Sequence, residues 1–178
     1  MKRIVLTLGA LALSTSVFAQ TPADLETALT PAPANLKDGA TVIKWKPDYT
    51  YDTVRKGTNT LVCFDRSGQP GQQPFAAECT SLANLPRVAQ NLKFEAQPDR
   101  GKAALAAAEK DGSRIKPEYG SVWYHVMGKD KDTIRRHTTI AVPGATTQST
   151  GIPDNGKRGG VWIMEAGTST AHLMIPGF

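Results

Sequence analysis

Two apolar rhythms divide the chain. Thr41–Trp45 (TVIKW) is a β-branched run ended by Pro47, and Tyr51–Arg55 and Thr60–Phe64 flank K-G-T-N as a predicted hairpin. The rhythm then changes. Leu82, Leu85, Val88, Ala89 and Leu92 recur at spacings of three and four, one apolar face of a helix, and Pro86 suits the first turn of a second one. A further helix runs from Asp99 or Arg100 to Lys110, with Asp111-Gly112 as its stop. Strand signals return at Ser121–Met127 and His137–Val142, on either side of GKDKDTIRR. A closing hairpin pairs Val161–Met164 with Ala171–Ile175. Strands on both sides of a helical middle predict an α+β fold: a mostly antiparallel sheet, two or three helices mid-chain.

Two segments lack either rhythm. TPADLETALTPAPANL (21–36) is rich in Pro, Ala and Thr and reads as a mobile leader with at most a helical turn at Asp24–Leu29. Ordered structure is therefore expected from Ala40, with 20–39 a flexible leader and 40–178 a single domain. The second segment, PGATTQSTGIPDNGKRGG (143–160), has Ile152 as its one large apolar side chain. A stretch this long is a lid, a binding loop or disordered.

The first residues, MKRIVLTLGALALSTSVFAQ, change the setting. Lys2 and Arg3, an apolar core from Ile4 to Leu13, and Val17-Phe18-Ala19 make a secretory signal over 1–19. That core is too short for a hydrocarbon layer ~30 Å thick, so no membrane span is expected after cleavage and the product is periplasmic or secreted. Cleavage removes two basic residues and lowers the net charge from +5 to +3. The remaining pairs, Arg55-Lys56, Arg135-Arg136 and Lys157-Arg158, are scattered, and no nucleic-acid partner is expected. Cys63 and Cys79, the two cysteines, are expected to form a disulfide in an oxidising compartment.

Candidate chemistry is sparse. Gly151 to Lys157 fits G-x-x-x-x-G-K, but Arg158 stands where Ser or Thr would hold Mg²⁺, and Gly159-Gly160 leads into a strand, so a phosphate loop is rejected. No G-x-S-x-G elbow exists. His125, His137 and His172 have no metal-ligand spacing, and neither a metal nor a cofactor is expected. They lie in or beside strands, where folding could gather them with Glu165 or Asp154. His172 depends on hairpin register: an odd register sets it beside Val161, Ile163 and Glu165, an even one beside Trp162 and Met164. Trp123, Tyr124 and Trp162 could stack a sugar or fill the core.

G-T-N-T-L-V-C around Cys63 and G-G-V-W-I-M-E-A-G-T-S-T-A-H-L-M-I-P at the end resemble stretches of secreted bacterial proteins that have no assigned activity. The resemblance implies a kind of domain and no mechanism. It favours His137 and His172 over His125, which has no clear counterpart there. The expectation is an exported binding or structural domain. The alternatives are a hydrolase or metal-assisted enzyme using His137, His172 and Glu165, or a carbohydrate-binding module using Trp123 and Trp162, with Asp154 as a further binding candidate.

Overall fold

The computed structural model describes residues 22–175; the signal segment read over 1–19 lies outside the described residues. Eight strands form one sheet: β1 (Thr41–Trp45), β2 (Tyr51–Arg55), β3 (Leu61–Asp65), β4 (Phe75–Ser81), β5 (Val122–Gly128), β6 (Arg135–Ala141), β7 (Trp162–Met164) and β8 (His172–Met174). Their order is β2-β1-β3-β4-β5-β6-β8-β7. Every pairing is antiparallel except β1 with β3, so the α+β expectation holds.

The first hairpin is corrected. β2 pairs with β1, and β3 lies on the other side of β1, parallel to it. The K-G-T-N segment is a crossing between them. Thr58 N–H and Asn59 N–H both donate to the Gly39 carbonyl, at 2.8 and 3.0 Å. Arg55 Nη2 donates to the carbonyls of Lys37 and Ala40, both at 2.8 Å. At Gly57 a Cβ would lie 2.3 Å from the Gly39 oxygen, so only glycine lets the chain pass the entry of β1 this closely.

Helices cover both faces. On one, α3 (Leu85–Glu95) packs Leu85, Val88 and Leu92 onto Ile43, Val62, Phe64 and Trp123. A short 3-10 turn, Leu82–Asn84, precedes α3, and Pro86 sits in its first turn as the sequence suggested. The buried Asn84 fixes that entry by donating to Thr80 Oγ1 and Ser121 Oγ and accepting from Glu118 N–H. α4 (Lys102–Asp111) ends at Gly112, which has φ +78° and terminates the helix in the left-handed region.

The other face corrects the leader. α1 (Pro22–Leu29) and α2 (Ala34–Lys37) are folded, and Ala28, Leu29 and Ala32 are buried against Val42, Leu61, Cys63 and Cys79. The Pro-rich composition masked Ala28, Leu29 and Ala32, which dock there with the partly buried Leu25 and Leu36. Cys63 and Cys79 are directly opposed on β3 and β4, and their sulfurs are bonded.

Segment 143–160 is also ordered. Thr146 and Ser149 form a capping box on α5 (Thr147–Thr150), and Ile163 N–H donates to the Pro153 carbonyl. Ala145 and Ile152 join Val142, Ile163 and Ala171 in a third apolar cluster.

Candidate functional site

Strand alternation builds the site. Residues 123, 125 and 127 of β5 point to the α3 face, and register places His137, Thr139 and Ala141 of β6 on that face. His125 opposes both Glu78 and His137, so Glu78, His125 and His137 form one cross-strand row. Ala141 opposes His172, which brings the third imidazole to the same side. Between this surface and α3 lies a cavity of about 400 Å³, lined by all three histidines.

Its floor and inner wall carry charge. Arg66 is 4% exposed, and its Nη1 donates to Glu78 Oε2 at 2.9 Å. Arg66 Nη2 also pairs with Glu95 of α3, and Nε donates to Gln69 Oε1. The guanidinium thus ties β4 to α3 through two carboxylates. His125 Nδ1 stands 3.8 Å from Glu78 Oε2, within electrostatic reach but too far for a hydrogen bond. The His125 ring stacks on Trp123 at 6.3 Å between centroids and lies 5.8 Å from the His137 ring. Burial lowers the pKa of His125; Glu78 opposes that shift, and Arg66 and His172 add to it. Burial lowers His137 too, reinforced by His125 and His172.

His172 Nδ1 lies 2.8 Å from the Thr170 carbonyl. A carbonyl can only accept, so Nδ1 carries the hydrogen and Nε2 keeps its lone pair in the neutral ring.

Arg87 of α3 forms another wall. It is 3% exposed, and its Nη groups donate to the Ile115 carbonyl, Ser169 Oγ and Thr170 Oγ1. All three partners are neutral. Glu109, a carboxylate that acts on Arg87 through space, accepts from the N–H and the Oγ–H of Ser169 rather than from the guanidinium. Burial, with repulsion from Arg114, lowers the Arg87 pKa to about 10, and Glu109 opposes the drop. Arg100 completes the rim, its side chain lying across Gly71. Three guanidiniums (Arg66, Arg87, Arg100) and two carboxylates (Glu78, Glu95) line the cavity, an excess of one positive charge before the imidazoles are counted.

The sequence candidates divide. His137 and His172 line the cavity, and so does His125. Glu165 does not: it is an exposed turn residue at φ 56°. The closing hairpin takes the even register, Met164 opposite His172 and Trp162 opposite Met174, so the carboxylate–histidine pair of the odd register does not form. His172 nonetheless faces the polar cavity, because β6 lies on its other side. Asp154 is exposed in the loop beside Asn155. Trp123 is buried in the cavity wall, and Trp162 packs over Gly156. Thr139 and Met174 stand between the two indoles in one row, three strand spacings or ~14 Å across, so they form no common stacking platform. Sequence reasoning passed over Glu78, Arg66, Arg87 and Glu95. Glu78 had left a trace, a lone charge in the apolar run F-A-A-E-C-T.

Among the described residues no three His, Cys, Asp or Glu side chains are placed to hold a metal ion, and no helix is long and apolar enough to cross a membrane. The chain matches no known family model, no curated protein and no solved structure.

Proposed function

We propose that this chain is an exported binding domain whose cavity takes a small anionic molecule, with Arg87 as its anchor. The observation that carries the reading is Arg87 itself: a guanidinium 3% exposed, at a cavity wall, hydrogen-bonded only to neutral oxygens. Removing such a charge from water is costly, and a carboxylate or phosphate on the ligand supplies the missing partner in a low-dielectric setting. Thr139, Thr170 and Asn91 line the same space and offer neutral polar contacts. The apolar parts of Trp123 and Met127 suit a ligand with a non-polar body. Export is supported by the signal pattern at 1–19 and by the Cys63–Cys79 bond, which an oxidising compartment preserves.

Titration calorimetry with inorganic phosphate and with a small dicarboxylate tests the reading. Binding is expected for at least one of them, weakened at least about tenfold in Arg87→Gln, with the fold intact by circular dichroism. Equal affinity in the variant, or no heat with either anion at millimolar concentration, would refute it.

A further inference from the structure

We propose that the same cavity cleaves a phosphodiester carrying a hydroxyl beside the phosphate, as a ribonucleotide linkage does, with His125 and His137 exchanging the protons. The inference rests on the anion-binding reading and adds a reaction to it.

Such a cleavage needs three things: a base for the attacking hydroxyl, an acid for the leaving oxygen, and cations for the phosphoryl oxygens. The row Glu78–His125–His137 supplies the first two, and strand register enforces it. His125 has Glu78 behind it at 3.8 Å, so a proton taken up by His125 creates an imidazolium facing a carboxylate. That geometry suits the base. His137, with its ring 5.8 Å from that of His125, reaches a different oxygen of the same tetrahedral phosphorus and suits the acid. Arg87, bonded only to neutral oxygens, presents guanidinium charge to the non-bridging oxygens, while Arg66, held by Glu78 and Glu95, fixes the carboxylate behind His125.

The electron and proton count closes without a co-reactant. The 2′-oxygen–phosphorus bond forms and the phosphorus–5′-oxygen bond breaks. The 2′-hydroxyl proton passes to His125, and the His137 imidazolium proton passes to the leaving 5′-oxygen. The products are a 2′,3′-cyclic phosphate and a free 5′-hydroxyl, and solvent restores both rings.

An internal nucleophile fits better than a protein one. Both cysteines are consumed in the disulfide, and Ser169, whose Oγ donates to Glu109 at 2.6 Å, does not line the cavity. The mouth adds a cue for a chain of phosphates. Arg135 opposes Met127, so it stands on the cavity face, exposed, next to His137, while Arg100 flanks the rim. These basic residues come from separate segments of the chain, and the proposal departs from the expectation of no nucleic-acid partner.

The test uses the purified disulfide-bonded protein with a chelator present. The substrates are a diribonucleoside monophosphate, its 2′-deoxy counterpart and bis(4-nitrophenyl) phosphate; products are read by chromatography and phosphorus NMR. Cyclic phosphate is expected from the ribo substrate alone. The rate should fall at least about 10²-fold in His125→Ala and in His137→Ala, while phosphate binding persists by calorimetry. Because burial lowers both imidazoles, the pH optimum should fall on the acid side of ~6.5, the ordinary histidine value. Glu78→Gln, a positioning change, should move that profile without changing phosphate affinity more than a few-fold. No cleavage, cleavage of either substrate lacking the hydroxyl, or undiminished turnover in both histidine variants would overturn the inference. Phosphate binding without cleavage would sink the reaction alone and leave the binding reading standing.

Discussion

Replacing Arg66 with methionine tests the electrostatic frame of the cavity. The guanidinium side chain is 5% exposed, and its carboxylate partners Glu78 and Glu95 are 7% and 19% exposed. Arg66→Met preserves most of the packing volume but leaves two carboxylates near each other with no shared cation. Breaking a buried pair by deleting one partner costs about 3–5 kcal/mol. At ~2–4 °C per kcal/mol for a domain of this size, the melting temperature should fall by about 6–20 °C. Most of that loss comes from two buried carboxylates deprived of Arg66, Glu95 keeping only the exposed Arg100 at 3.8 Å, so Arg66→Met combined with Glu78→Gln and Glu95→Gln should recover a large share of it. The single variant also has a pH signature. Without their shared cation the two neighbouring carboxylates repel, and protonation of either as pH falls relieves that repulsion in the variant's folded state. Its deficit against the parent should therefore narrow between pH 7 and about pH 4.5, followed by urea denaturation at each pH. A triple variant no more stable than Arg66→Met, or a deficit that widens on acidification, would refute the reasoning.

Two further outcomes follow from the same structure. His125 and His137 have lowered pKa values when folded, so the unfolded chain binds protons more readily just below ~6.5. Their contribution should make stability decline as pH drops through that range, and His125→Phe should flatten the decline measured by urea midpoints. Reduction of Cys63–Cys79, which closes a loop with a separation of 16 residues, should cost ~3 kcal/mol in the chain-entropy account. Paired urea titrations with and without reductant check it, and coincident curves would contradict a stabilising bridge.

Local signals carried most of the secondary structure. β5, β6, α3 and the closing hairpin lie within a few residues of their apolar patterns, because each buries one regular face. The failures occurred where a contact is non-local. The K-G-T-N segment has hairpin composition, but its hydrogen bonds go to Gly39, which no local rule can foresee. α1 reads as leader because its fully buried residues are only Ala28 and Leu29, with Ala32 just beyond it; it becomes a helix worth folding only once β1, β3 and β4 offer it a surface. The same holds for 143–160, whose capping residues were visible in the sequence while the docking sites of Ala145 and Ile152 were not.

The candidate site was legible only in fragments, for a geometric reason. W-x-H-x-M and H-x-T-x-A each announce that alternate residues share a face, yet a one-residue slip between β5 and β6 would send His137 to the opposite side from His125. Three pairings must all be right before Glu78, His125, His137 and His172 meet. The arginines are harder still, since Arg66 lies just beyond a strand and Arg87 on a helix whose apolar rhythm hides a buried cation. Arg87 interrupts that rhythm between Leu85 and Val88, on the face that turns inward. There it ties α3 to Ile115, Ser169 and Thr170 through its guanidinium. Its place in the interior among neutral acceptors is a cost to folding, and under the proposed function an anion in the cavity would offset it.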